Sequence, residues 1–224
     1  MTIAIEEDAA GDDGAAVRAA RERGSLYGFL AAIFRREPTS DLLCQIKQPE
    51  FADALSDAGV AWDREFLDSP EKELAEELAV EYTGLFIGPG KHVSPHASAN
   101  MPDEGGTLWG RSTSDAVARI REAGLDYDPD YHGLPDHISV ELELMAALAG
   151  REAEAWRAGE EAAALSQREF QASFVEEHLR HWLPEFCRRI IERAELPLFG
   201  EMAKLTAAFL EAERADLATK SDVG

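Results

Sequence analysis

Cysteine is nearly absent. Cys44 and Cys187 are the only two in 224 residues, and they form no Cys-x-x-Cys motif. Their separation argues against a disulfide scaffold and points to a reducing compartment. Positive charge is also scarce: 22 Lys and Arg stand against 44 Asp and Glu, a net charge of −22. Phosphate binding needs a basic surface, so the balance speaks against nucleic acid and against docking on anionic lipid. Long apolar runs are missing. The longest, Leu26 to Phe34, is well short of the ~20 residues that a membrane span requires. The N-terminus is acidic and lacks the charged-then-apolar pattern of an export signal. These absences describe a cytoplasmic protein with no stable membrane insertion. The acid excess has two readings, solubility or life in high salt on one side and choice of a cationic partner on the other.

Strand signals are absent as well: there is no alternating apolar pattern, no Asn-Gly hairpin turn and no fixed-period repeat. What the chain does have is helical periodicity. Leu26, Leu30, Ile33 and Phe34 share one face of a helix expected over Asp13–Glu37, which Pro38 stops. Short helices follow over Ser40–Gln48, capped by Ser40 or Asp41, and over Pro49–Ala58, ended by Gly59. Ser69-Pro70 reads as cap and first turn of the next helix, whose buried stripe is Leu74, Leu78, Tyr82, Leu85 and Phe86. Further helices are expected from Ser112 or Ser114 to Ala123, Pro135 to Arg157, Glu160 to Leu183, Pro184 to Ala194, and beyond Pro197. The class is all-α. The expected organisation is an acidic disordered segment over 1–13, one helical domain over 14–217 with a long Gly/Pro loop at about 87–111, and a tail over 218–224.

Two stretches stand out. Glu81–Ser98 starts as the end of a helix and breaks at Gly88-Pro89-Gly90 into a loop carrying Lys91, His92, Pro95 and His96. Leu134–Met145 is its counterpart, a loop running directly into a helix with Asp136 and His137 at the junction. These two junctions are expected to frame one binding site.

Enzyme readings fare poorly. Gly90-Lys91 is not a phosphate loop, because Leu85 stands at the first glycine position and His92 replaces the Ser or Thr. His92, His96, His132 and His137 form no metal motif, and His178 with His181 reads as a solvated pair. Asp136 and His137 could be a base with its orienter. They equally fit a structural role, with Asp136 bonding free N–H groups at its own helix start and His137 packed under the loop. Tyr82, Leu85 and Phe86 read as core. Trp109, in the long loop, is either a lid over a pocket or a plug over the core.

At these junctions the sequence resembles the TorD/DmsD family of cytoplasmic chaperones for molybdenum-containing oxidoreductases. The resemblance rests on Glu81-Tyr82, Leu85-Phe86-Ile87-Gly88-Pro89, Pro95, Ser98, Leu108-Trp109-Gly110, Ser112-Thr113 and Pro135-Asp136-His137-Ile138. It extends through Glu141-Leu142, Met145, Trp182-Leu183-Pro184-Glu185-Phe186 and Leu196-Pro197-Leu198-Phe199. Tyr27 fits an aromatic position of the DmsD-like branch. Tyr82, Gly90 and His96 stand where that branch favours Trp.

The resemblance implies an all-helical, non-enzymatic chaperone without a cofactor. It would bind the twin-arginine signal peptide of a molybdopterin oxidoreductase of the dimethyl sulfoxide or trimethylamine oxide reductase type. That would delay export until cofactor loading, with the export machinery as a further partner. The implied peptide-binding residues are Tyr27, Tyr82, Leu85, Phe86, Pro89, Pro95, His96, Ser98, Trp109, Asp136, His137 and Glu141. Guanidinium groups favour planar carboxylates, for which Asp136, Glu141, Glu81 and Glu104 are the candidates. The alternatives are a NarJ-like scaffold gripping the reductase body and, from another class, a nucleotide- or metal-dependent hydrolase.

Overall fold

In the computed structural model the described residues are 12–103, 106, 108–126 and 133–218. The segment expected to be disordered therefore lies almost wholly outside them, as do Glu104, His132 and most of the tail. Among the described residues the fold is helical, and the one β-type pairing is an isolated antiparallel bridge.

Helix α1 (Asp12–Arg35) lies along α8 (Ile138–Arg157). Small residues allow the close crossing: a Cβ added to Gly24 would stand 3.4 Å from both the Ala146 carbonyl oxygen and the Ala149 Cβ. α8 is buried along most of its length and also packs on α9 (Glu161–Phe174). A π-turn, Val175–Leu179, carries the chain straight into α10 (Arg180–Ile191), which packs on α11 (Pro197–Ala218).

The smaller helices are α2 (Ser40–Ile46), α3 (Pro49–Asp57), α4 (Arg64–Asp68), α5 (Glu71–Tyr82), α6 (Ala97–Asn100) and α7 (Arg111–Glu122). A second π-turn, Thr83–Ile87, extends α5. Phe34, Tyr82, Phe86, Phe186 and Phe199 form one aromatic cluster, with ring centroids 4.9 Å apart for Tyr82–Phe86 and 5.5 Å for Phe86–Phe199. Burying each such ring contributes about 1.5–3 kcal/mol.

Several helix ends differ from the sequence reading. Thr39, not Ser40 or Asp41, caps α2 by accepting the Leu42 N–H. Ser69 closes α4, a helix the sequence reading missed, and Pro70 precedes α5. Gly110 stands at the N-cap of α7 and Ser112 is buried inside that helix, so neither Ser112 nor Ser114 caps it. Pro184 sits inside α10 rather than starting a helix. The wide turn directly before α10 loosens the backbone ladder there, and such turns can accommodate a missing N–H. Helix α8 begins at Ile138, not Pro135, because the His137 ring nitrogen accepts the Ser139 N–H and fixes the start. Gly59 and Gly124 do end helices, at φ values of 90° and 63° that suit glycine.

A buried ion network ties the long helices together. Arg23 on α1 pairs with Glu152 on α8 and lies 3.4 Å from Glu213 on α11. Arg168 on α9 reaches Glu152 at 3.6 Å and Asp216 at 2.6 Å. Gln171 donates to Glu152 at 2.7 Å. Burial is the main force pushing the Glu213 carboxyl up, to about 7, against the pull of Arg23.

Candidate functional site

The structure joins the two junctions singled out above. His96 and His137 form the antiparallel bridge: Ala97 N–H donates to the Asp136 carbonyl at 2.9 Å, and Ile138 N–H to the Pro95 carbonyl at 2.8 Å. Their imidazoles meet edge to face, centroids 5.1 Å apart.

Asp136 is fully buried and acts across the bridge. Its Oδ2 accepts the Ser98 N–H at 3.0 Å. Ser98 is in the first turn of α6, whose N-cap residue His96 makes no side-chain cap of its own. Asp136 therefore caps α6 instead of the start of α8, where the sequence reading placed its bonds. A buried N–H at a helix start needs an acceptor, and a carboxylate is favoured there by the helix dipole. His137 keeps its place under the loop. Its Nδ1 lies 2.9 Å from the Ser139 hydroxyl and accepts the Ser139 N–H at 3.2 Å, which requires an unprotonated Nδ1. Burial first, then His96, pushes His137 down to about 4, against the opposing Asp136. Burial lowers His96 as well, with Asp136 again opposing.

Behind the bridge lies Glu141, 1% exposed. Its two oxygens are both used: His178 Nε2 lies 2.6 Å from Oε1, and the Trp182 N–H donates to Oε2 at 3.2 Å. Burial pushes Glu141 up. Burial pulls His178 down, but the Glu141 carboxylate outweighs it and holds His178 above its ordinary range. His178 is thus no solvated partner of His181. It sits on the π-turn, buried and stacked on Phe174 at 5.0 Å.

The loop after Phe86 is anchored at several points. Val93 N–H donates to the Leu85 carbonyl at 2.6 Å. Asn100 donates to the Ser94 and His96 carbonyls, each at 2.8 Å. Arg189 on α10 donates to Asn100 Oδ1 at 2.9 Å and to the His92 carbonyl at 3.2 Å. Sequence reading missed Asn100 and Arg189, since neither belongs to a motif and the contact spans 89 positions.

The other site candidates divide by position. Pro95 and Ser98 are buried at the bridge, and Pro89 is exposed at the loop's start. Leu85 and Phe86 are buried beneath the loop. Tyr82 is buried and donates to the Phe34 carbonyl at 3.2 Å. Tyr27 is remote from the bridge in its contacts: it faces Phe209 and the ion network, with its hydroxyl 3.4 Å from Glu213. Trp109 is 75% exposed at a left-handed φ of 66°, so it does not plug the core. Among the described residues no group of His, Cys, Asp and Glu is placed to hold a metal, and no helix is long and apolar enough to cross a membrane.

The profile of the nitrate reductase delta subunit family matches residues 48–188. The chain is similar to the chaperone protein TorD of Shewanella amazonensis, 26% identical over 221 residues, covering 84% of this chain and 88% of that protein. It is similar also to TorD of Vibrio vulnificus, 28% identical over 203 residues, covering 84% and 91%. A crystal structure of a candidate redox enzyme maturation protein from Archaeoglobus fulgidus aligns with a TM-score of 0.47 at 25% identity, covering 88% of this chain and 93% of that one. The family match spans most of the chain and takes in both the loop and the Asp136–His137 junction. The chain belongs to the nitrate reductase delta subunit family, is of the TorD chaperone kind, and is not an enzyme.

Proposed function

We propose that this chaperone works in the cytoplasm by binding the twin-arginine signal peptide of a molybdopterin oxidoreductase, holding back export until the cofactor is loaded. The observation that carries the reading is the latch at His96–His137. One short bridge, one cross-chain cap and the Arg189–Asn100 contact hold a Gly/Pro-rich loop over Leu85 and Phe86. Such a loop opens as a local unit, because its ties run to helix ends and short segments and their release leaves the long helices packed. Opening it uncovers an apolar slot of the kind that takes an amphipathic or apolar segment. Pro89, Pro95, His96, Ser98, Asp136 and His137 form the moving rim, and Trp109, exposed just before α7, offers a further aromatic contact. Tyr27 and Glu141, buried and already paired, support the scaffold behind the rim.

Binding of a synthetic leader peptide, followed by calorimetry, tests the reading. Asp136→Ala and His137→Ala remove rim groups that the peptide is expected to contact once the loop opens, and are expected to weaken binding while circular dichroism stays that of a folded helical protein. Unchanged affinity removes the latch from the site. A reductase lacking its leader distinguishes leader recognition from a grip on the reductase body: capture of the leaderless protein at full strength favours the scaffold alternative.

A further inference from the structure

The leader reading requires carboxylates that a guanidinium can reach, and the latch does not offer them. With the latch closed, Asp136 is 0% exposed, one oxygen on the Ser98 N–H and the other sheltered without a partner, and Glu141 has both oxygens engaged. A different acidic surface lies open beside it. A groove of about 490 Å³ runs between the end of α5 with its π-turn and the segment joining α10 to α11. Val80, Leu85 and Leu196 supply apolar lining, and Val80 is 75% exposed. Gly84 leaves the trough open, since a Cβ added there would meet nothing within 4 Å.

Glu77, Glu81 and Glu195 stand along this trough against the single base Arg193. Glu81 is the informative one. Its Oε1 accepts the Glu195 N–H at 2.6 Å and the Leu196 N–H at 2.8 Å, which fixes the carboxylate in place. Its Oε2 is sheltered and has no hydrogen-bond partner. Glu81 is only half-buried where Asp136 is wholly so, and it lines the open groove, so its unpaired oxygen is the one a planar cation there would engage. The surplus of negative charge beside apolar lining matches a segment that carries guanidinium groups next to apolar residues, and matches an acidic or phosphorylated one badly.

We propose that the arginine-bearing end of the leader docks in this α5–α11 groove and is read by Glu77, Glu81 and Glu195, not by Asp136 and Glu141. The inference rests on the leader reading above. The two regions adjoin through Leu85, which is among the residues lining the groove while its carbonyl accepts the Val93 N–H of the loop. The arginines therefore anchor outside the latch and the apolar run continues beneath the loop.

The test is calorimetry of the full chain with two synthetic leaders, one with adjacent arginines before an apolar run and one with glutamines in their place. Wild type is expected to bind the arginine leader about tenfold or more tightly than the glutamine one, as charge-assisted hydrogen bonds predict. The triple variant E77Q/E81Q/E195Q is expected to bind both leaders alike. It keeps an oxygen at position 81 for the two N–H groups, so its thermal midpoint is expected to stay near wild type. Gly84→Leu fills the trough without touching charge and is expected to weaken both leaders. If the triple variant retains the wild-type preference and Gly84→Leu the wild-type affinities, the groove assignment is overturned while the leader reading stands. Equal binding of the two leaders by wild type overturns the assignment too. Binding of neither leader by wild type overturns the leader reading and this inference with it.

Discussion

Two buried polar clusters in this molecule are built in opposite ways. The network of Arg23, Glu152, Arg168 and Glu213 sits on α1, α8, α9 and α11, helices of 14 to 24 residues. Each of its members is carried by a long packed element, so breaking one contact does not release a segment. The latch of His96, Asp136 and His137 depends on a four-residue helix and on loops flanking it. An isolated helix that short does not stand alone; α6 exists because Asp136 caps it and Arg189 holds Asn100. Similar chemistry therefore braces the scaffold in one place and provides a release point in the other.

The largest expected effect comes from breaking the brace. Arg23→Met leaves Glu152 and Glu213 buried without their main cation, and is expected to cost about 3–5 kcal/mol in denaturant unfolding. A loss under ~1 kcal/mol would mean that the network is not the brace described here. Asp136→Ala is expected to act locally. It orphans the buried Ser98 N–H, a cost of about 1–3 kcal/mol. Hydrogen exchange is expected to rise at 96–100 and 136–138 more than in α1 or α8. Uniform acceleration across the chain would show that the latch is not an independent unit.

Acidity sharpens the comparison, because the two regions respond with opposite sign. An unfolded imidazole takes its proton near 6.5, whereas buried His137 takes one only near 4. The latch therefore carries no proton penalty above about 6.5, loosens as pH falls from 6.5 towards 4, and levels off below that. Lowered His96 adds in the same direction, and a proton on His137 Nδ1 removes the acceptor for Ser139. Raised Glu213 does the reverse. Its contribution is full below its ordinary 4.5 and is lost as pH rises towards about 7. Exchange at 96–100 measured from pH 7 to pH 5 is expected to accelerate relative to α1 after correction for the chemical rate. No relative change would contradict the histidine assignment. The smallest effect is at Trp109. Its left-handed backbone suits glycine, so Trp109→Gly is expected to shift global stability by less than ~1 kcal/mol. A larger loss would reveal packing that its 75% exposure does not suggest.

The helical class, the glycine stops at Gly59 and Gly124, and the pairing of two distant junctions were legible in the sequence. The first two rest on local signals, periodicity and backbone conformation, whereas the junctions were matched by their like composition and by the family resemblance. What was hidden depends on contacts across the chain. Asp136 looked like a cap for the helix that follows it, and only the fold reveals that it serves one 38 positions away. His178 looked solvated because the sequence gives no sign of the π-turn that carries it against Glu141. Arg23 and Arg168 sit in ordinary amphipathic helices, where arginine usually faces water; their partners lie 129 and 48 positions away. Helix α4 was too short for its periodicity to register, although Asp63 caps it by accepting the Phe66 N–H.

The two thiols lead to a practical consequence. Cys187 is wholly interior, and burial pushes it up to about 12, so almost none of it is thiolate near neutrality. Cys44 is solvent-facing on α2, which packs on α5, the helix that forms one wall of the acidic trough. A thiol-reactive fluorophore is consequently expected to label the native chaperone at one position without mutagenesis, giving an optical reporter on a helix packed against α5.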